Sequence, residues 1–350
     1  MENVTLNRPP LPVTRIPQPA NPSVMISILN WNSAEVTLEC LASLAAMRVD
    51  PAISVSIVVI DNGSAELDYL QLQQGIDQKK VRLLRQETNL GFAGGHNLAM
   101  RIALDQGMDF IWLVNSDAVI DPDCLNQLVT LMHERPDCGA TSPVVVALDD
   151  DHEIDFCGAR HNWQKMETER PAGLIEARRW EQETPDTMWA AGTVVLYRVA
   201  ALKQIGMLDA RLFAYYEDDD IGERLAHAGW RSLIAFDARA RHLRYLYDVH
   251  HRPPYYFYLM TRNGILFWLK HTPAPFRRRI RLRLLDRSLF LANILLSKSQ
   301  PEKARACMLG ALDGMLGKGG PPRLERHVPR LVELLRRVLL LQHAKHMATK

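Results

Sequence analysis

The sequence predicts an α/β fold: a mostly parallel central sheet with helices on both faces, followed by a basic helical C-terminal extension. Three observations predict it. Short apolar runs of strand length alternate with helical stretches through the first 120 residues, the pattern of strand–helix–strand units. Two of those runs stop at polar segments holding an aspartate, at the edge where parallel sheets place their ligands. Basic residues then gather after residue 270, interleaved with leucine and isoleucine.

The elements follow in order. Residues 1–22 are polar and proline-rich and read as an extended lead-in, because proline fixes φ and removes a donor. They lack the apolar stretch of a signal peptide. Residues 24–29 (VMISIL) read as the first strand and residues 34–47 as a helix. Residues 55–60 (VSIVVI) form a second strand ended by Asp61-Asn62-Gly63-Ser64, and residues 81–84 form a weaker third. A glycine-rich loop then leads into a helix near residues 97–104. Residues 110–114 (FIWLV) are the fourth strand, which stops at Asn115-Ser116-Asp117. Residues 148–187 are charged and lack a clean period, so they read as an irregular or hairpin insertion. Regular structure resumes at residues 189–197, and a helix over 218–228 ends at Gly229, which suits a C-cap. The main domain expected from this pattern covers residues 23–270, with residues 271–350 as the tail.

The small net charge hides an asymmetry. Residues 271–350 carry 17 Lys+Arg against 5 Asp+Glu, whereas residues 1–270 carry 25 against 35. An acidic body with a basic tail points to an anionic partner. Residues 276–297 and 329–343 interleave arginine with aliphatics, as in a helix lying on an anionic membrane surface. A helix packed on the protein with a solvated basic face has the same pattern. Residues 317–322 (GKGGPP) separate the two as a loop. No nucleic-acid partner is expected, because the arginines alternate with aliphatics rather than with stacking aromatics. The five cysteines show no CxxC spacing, so reduced thiols are expected. No run of about 20 apolar residues is present to span a bilayer. The expected location is cytoplasmic, or peripheral on the inner face of the cytoplasmic membrane.

Three segments could carry chemistry. Asp117 ends an apolar strand, where a carboxylate can hold a hard divalent cation against a diphosphate; taken alone, it could equally cap the turn at Asp121-Pro122-Asp123. Glu217-Asp218-Asp219-Asp220 opens a helix, where acids are favoured by the dipole. Its aromatic flank, Phe213-Ala214-Tyr215-Tyr216, suggests part of the run is desolvated, which would make a carboxylate a better base. Asn89-Leu-Gly-Phe-Ala-Gly-Gly-His-Asn97 lets backbone approach a ligand or forms a tight loop before a helix. Softer candidates are His242 as a metal ligand, Arg262 as a phosphate or acceptor contact, and Trp31 as a stacking residue or plain core.

Taken in order, the segments VMISILNWNS, VVIDNGS, NLGFAGGHN, WLVNSDA, WAAGTVVLYR, FAYYEDDDIGERLAHAGW, HLR and TRNGILFWLKH resemble the family 2 inverting glycosyltransferases of the GT-A fold, in particular the rhamnosyltransferase-like branch. The resemblance covers about residues 22–271. It implies donor-site roles for Asn30, Trp31, Asp61, Asn89, Gly91, Gly94, Gly95, Asn97, Asn115 and Asp117. It implies a metal, Mg²⁺ or Mn²⁺, at Asp117 with His242. The small residues usual after that histidine are replaced here by Leu243 and Arg244. It implies Asp218 as the base, with Glu217 beside it, and acceptor contacts from Trp189, Gly192 and Arg262. The reaction implied moves a rhamnose-like sugar or hexose from a dTDP- or UDP-sugar to a hydroxyl of a surface glycan or lipid-linked acceptor. A sugar-phosphate nucleotidyltransferase would need a basic phosphate loop after the first strand, where Asn30-Trp31-Asn32-Ser33 stands instead. A non-catalytic nucleotide-sugar binder would not need both Asp117 and the Glu217-Asp218 pair.

Overall fold

The structure is a computed structural model that describes residues 19–242 and 251–347. The lead-in before residue 19 and the Leu243-Arg244 pair lie outside the described residues. The chain divides into two compact units. The first takes in the described residues of Met1–Asn162, Glu167–Leu208 and Asp218–Arg244; the second takes in those of Trp163–Met166, Asp209–Glu217 and Tyr245–Lys350.

The first unit opens with strict alternation: β1 (Ser23–Asn30), α1 (Ala34–Ala45), β2 (Ser54–Asn62), α2 (Glu66–Gly75), β3 (Val81–Gln86), α3 (Gly91–Asp105) and β4 (Phe110–Asn115). Then come β5 (Ala118–Ile120), α4 (Cys124–Glu134), β6 (Cys138–Ala147) and β7 (Ile154–Phe156). The remainder is β8 (Ala159–Asn162), β9 (Glu167–Glu169), α5 (Leu174–Glu183), β10 (Met188–Trp189), β11 (Val194–Arg198), α6 (Val199–Ile205), α7 (Glu217–His227) and β12 (Arg231–His242). The main sheet runs β3-β2-β1-β4-β11-β6-β12-β5, with β7 on β6. Its first four strands are parallel, while β11 runs antiparallel to both neighbours. The insertion holds β7, then β8 and β9, which form a small antiparallel sheet with β10 just after it, and the helix α5, where an irregular or hairpin segment was expected.

Strand periodicity explains the two layers. Successive side chains of a strand point to opposite faces. Val24, Ile26 and Ile28 of β1 therefore join one core with α1 and α4, while Met25 joins the other with α3, α6 and α7. Burial on both faces requires the near-continuous apolar runs that made these strands readable.

One boundary differs from expectation. α3 begins at Gly91, so the glycine-rich segment forms the first turns of the helix rather than a loop before it. Gly91 takes a positive φ of 76°, and the Asn62 side chain braces this entry, donating to the Gly91 carbonyl and accepting from the Leu90 N–H. At Gly95 a Cβ would collide with the Leu29 side chain, so glycine lets the helix lie close on β1.

The second unit is helical: α8 (Pro254–His271), α9 (Ile280–Ser297), α10 (Pro301–Met315) and α11 (Arg330–Met347). α8, expected at the end of the main domain, groups with these later helices. Gly310 and Gly314 let α10 pack against α8 backbone: a Cβ at Gly310 would lie 2.5 Å from the Tyr258 carbonyl oxygen. α9 buries Ile280, Leu284, Leu289, Ala292 and Leu295, which makes it a packing helix. α11 differs. Val332 and Arg336 are buried, yet Leu331, Leu334 and Val338 are 67%, 58% and 65% exposed. Among the described residues no helix is long and apolar enough to cross a membrane.

Candidate active site

The parallel strands end in a polar cluster. Asn30 closes β1 and Asp61 sits beside it on β2, paired in register. Both are fully buried. The Asn30 amide donates to Asp61 (3.1 Å), Ser64 (3.1 Å) and Asp68 (2.9 Å), and its oxygen accepts from the Thr37 hydroxyl (2.8 Å). Asn30, expected at the donor site, thus has its amide engaged inside the protein, with one bond to Asp61. Asp61 Oδ2 has no hydrogen-bond partner although it is buried, with the Arg85 guanidinium 3.8 Å away. A buried acceptor left unmet is costly, and Oδ2 is the open acceptor of this cluster. Trp31, next along, is 48% exposed. It is not core, and its ring is open for stacking.

The Asn89–Asn97 segment is mostly structural. Asn89 accepts from the Gly91 N–H (2.7 Å) and from Asn62 (3.0 Å), holding the entry to α3. Asn97 faces the Leu208 backbone, donating to its carbonyl and accepting from its N–H. This corrects Asn97 as a donor contact, because both polar ends of its amide are in use. A Cβ at Gly94 would lie 2.9 Å from the Leu90 side chain, one turn earlier.

β4 delivers Asn115 and β5 begins just after Asp117. β12 pairs antiparallel with β5 so that His242 faces Ala118, one residue from Asp117. The ring of His242 lies between two carboxylates, with Nε2 3.2 Å from Asp117 and Nδ1 3.1 Å from Asp155. Burial alone would lower its pKa, but the hydrogen bonds and charges of Asp117 and Asp155 prevail and push it up to about 9. Asn115 Oδ1 is buried without a hydrogen-bond partner. An imidazole nitrogen and a carboxylate oxygen 3.2 Å apart suit a divalent cation of the Mg²⁺ or Mn²⁺ kind, with the Asn115 amide two residues before Asp117 in sequence.

α7 carries the acidic run. Of its three consecutive aspartates, Asp219 lies 2.7 Å from His161 Nε2, and Asp220 pairs with Arg224 at 2.8 Å. Asp218 is instead held by backbone: Oδ2 accepts from the Gly192 N–H (3.1 Å) and Oδ1 from the Asp219 N–H (3.0 Å). Burial raises its pKa and the neighbouring Asp219 charge adds to this, against those backbone donors, so that Asp218 stands at about 7. It remains part-exposed, whereas Glu217 beside it is buried. A carboxylate poised near neutrality, fixed yet reachable, is suited to take a proton.

Gly192, expected as an acceptor contact, lies by Asp218, and a Cβ there would come within 3.6 Å of the Asp218 side chain. Trp189, expected as an acceptor contact, is buried, and its indole N–H has no hydrogen-bond partner. It is 5% exposed, stacked on His161 with ring centroids 5.8 Å apart, and closely packed on Gly222. Its bulk supports α7 from behind. Arg262 is likewise corrected. It is fully buried, and its guanidinium donates to the carbonyls of Gly320 and Leu212.

The neighbour of Arg262 shows the purpose of that burial. Asn263 Nδ2 lies 2.8 Å from each of the carbonyls of Leu212, Ala214 and Tyr215. In this stretch Phe213, Tyr215 and Tyr216 all adopt positive φ, a conformation that costs non-glycine residues free energy. Arg262 and Asn263 hold the strained segment that leads into the acidic run. Asn263→Ala should therefore leave buried carbonyls unmet and lower stability by about 1–3 kcal/mol, read as a lower urea midpoint with an unchanged slope; an unchanged midpoint would show that the segment holds itself. Asp155 gave no signal, being one acid in a charged stretch far in sequence from Asp117 and His242.

Comparison with known proteins gives a consistent answer. A family model described as glycosyltransferase like family 2 matches residues 21–263. The N-acetylglucosaminyl-diphospho-decaprenol L-rhamnosyltransferase of Mycobacterium tuberculosis (strain ATCC 25618 / H37Rv) is 28% identical over 296 residues, covering 76% of this chain and 91% of the relative. The dTDP-rhamnosyl transferase RfbF of Shigella flexneri is 24% identical over 280 residues, covering 76% and 88%. Among solved structures, the mannosyltransferase PcManGT from Pyrobaculum calidifontis, in complex with GDP-Man and Mn²⁺, superposes with a TM-score of 0.53 at 14% identity, over 85% of this chain and 88% of that one. The likeness shows the fold, which is GT-A.

Proposed function

Because the chain belongs to the family 2-like glycosyltransferases, we propose that it is a metal-dependent, inverting one. Its donor would be a nucleoside-diphosphate sugar and its acceptor a hydroxyl of a bacterial-type surface glycan or lipid-linked oligosaccharide. The observation that carries this reading is Asp218, a part-exposed carboxylate raised to about 7 and aimed by two backbone N–H groups.

In the proposed reaction Asp218 takes the proton of the acceptor hydroxyl as its oxygen bonds to the anomeric carbon. The bond from that carbon to the diphosphate oxygen breaks on the opposite face, so the configuration inverts. Asp61 and Trp31 hold the nucleotide, Asp61 through its unmet Oδ2. Asp117 and His242, with Asn115 beside them, would hold Mg²⁺ or Mn²⁺, which would offset the charge on the departing diphosphate. The Mn²⁺ in the complex of the structural relative supports this. Two relatives are rhamnosyltransferases, one named for dTDP-rhamnosyl transfer and one for a diphospho-decaprenol acceptor. They favour dTDP-rhamnose as donor, with a UDP-hexose second. A thermal-shift screen of nucleotide sugars with and without Mn²⁺ tests the reading, since a ligand bound only by the folded state raises its stability. The expected result is a rise with one donor that grows when Mn²⁺ is present; no rise with any nucleotide sugar would contradict it.

The same reading places the enzyme at an anionic membrane surface. Leu331, Leu334, Leu335 and Val338 form an exposed stripe on α11 at helical spacing, flanked by exposed Arg330 and Arg337. An apolar stripe bordered by arginines suits the headgroup region of anionic lipid. In vesicle co-sedimentation the protein should pellet with phosphatidylglycerol vesicles, and Leu331→Asp with Leu334→Asp should release it. Equal pelleting of the double variant would move the contact elsewhere.

A further inference from the structure

Asp155 lies in the insertion, outside every segment that suggested chemistry, yet it meets the proposed metal site directly. Its placement comes from backbone pairing. β7 pairs with β6 through Ile154 opposite Val146 and Phe156 opposite Val145, so the register slips by one residue. Asp155 is the extra residue, without a partner across the ladder. Such bulges bend a strand and re-aim one side chain, and they recur beside active sites. On the other side of β6, His242 of β12 faces Ala147. The bulge thus turns the Asp155 carboxylate onto the ring of His242, 3.1 Å from Nδ1.

We propose that Asp155 is a positioning residue that fixes the tautomer and orientation of His242, so that Nε2 presents its lone pair to a divalent cation shared with Asp117. This rests on the reading of Asp117 and His242 as cation ligands. A neutral imidazole donates from one nitrogen only. Nε2 lies 3.2 Å from the Asp117 carboxylate oxygen. Without a metal, a proton on Nε2 bridges that gap; a divalent cation would take its place, leaving the single remaining ring hydrogen on Nδ1 for Asp155 to accept. A carboxylate on the far nitrogen is the usual outer partner of a metal-bound histidine.

The test is Mn²⁺ binding by the full-length protein without nucleotide, followed by calorimetric titration and by the ¹⁴N modulation of the Mn²⁺ spin echo, which reports a coordinated imidazole. Asp155→Ala should weaken Mn²⁺ binding by roughly 10–100-fold, the usual cost of removing such a partner, and should reduce the ¹⁴N modulation. Asp155→Asn, which keeps an acceptor oxygen and the side-chain shape, should fall between wild type and Asp155→Ala; it carries the test if the alanine variant does not fold. If His242→Ala loses affinity while Asp155→Ala and Asp155→Asn bind like wild type, the positioning role is wrong and the metal site stands. If Asp155→Ala weakens binding with full ¹⁴N modulation, Asp155 does not act through His242. If Asp117→Ala and His242→Ala both bind Mn²⁺ like wild type, the metal reading itself fails.

Discussion

Asp218→Asn should reduce transfer by at least about 10²–10⁴-fold, the usual contribution of a positioned general base, while donor affinity stays near wild type. The amide keeps the shape of the carboxylate and one oxygen to accept from the Gly192 or Asp219 N–H. It cannot take a proton from the acceptor. The loss should therefore fall on turnover, and donor affinity measured by calorimetry should be unchanged. Asp219→Asn is the control for register, since Asp219 is engaged by His161 instead. An active Asp218→Asn alongside an inactive Asp219→Asn would place the base one residue further on.

The second large effect is expected at Asp117. Replacing it with alanine removes the carboxylate next to His242 and leaves the imidazole and Asn115 as the remaining groups on that edge. Stabilisation of charge on a leaving group by oriented groups contributes on the order of 10²–10³-fold per group. Asp117→Ala should lose at least that much turnover and much of its Mn²⁺ affinity, measured by initial rates and by titration. Full activity that survives chelation of divalent ions would remove the metal from the mechanism.

These expectations depend on how the site is assembled, and only part of that assembly was legible in the sequence. The parallel half was legible because β1, β4 and the second half of β2 are buried on both faces and end at polar breaks. Asp61 and Asp117 could be placed at the ligand edge from that pattern alone. The acidic run was visible, but its internal division was not. Asp219 is taken up by a histidine from the insertion and Asp220 by an arginine one helical turn later; the first partner is non-local and carries no local signal. Asn30, Asn97 and Arg262 read in the sequence as contacts for small molecules, and their polar atoms are engaged inside the protein. Polar and aromatic residues near a site have the same one-dimensional appearance whether they touch the ligand or brace what does. Burial separates them, and burial is a property of the fold. Asp155 was invisible for a related reason, since a one-residue bulge between short strands decides where it points.

The helical tail shows the same limit. Both α9 and α11 mix arginine with aliphatics, a pattern that fits a membrane-surface helix and a packed helix alike. The structure separates them: α9 buries its apolar residues in the helical unit, while α11 buries one stripe and exposes another.

The central claim is that Asp218 is the proton acceptor, raised by burial and by Asp219. The pH dependence of kcat/KM in wild type and Asp219→Asn tests it most directly. The base must be ionised to act, so activity should fall as pH drops through about 7 in the wild-type enzyme. Removing the Asp219 charge makes Asp218 easier to ionise, so this acid limb should move to lower pH in the variant. A wild-type profile with no limb near neutrality, or a limb that stays in place in Asp219→Asn, would contradict the account.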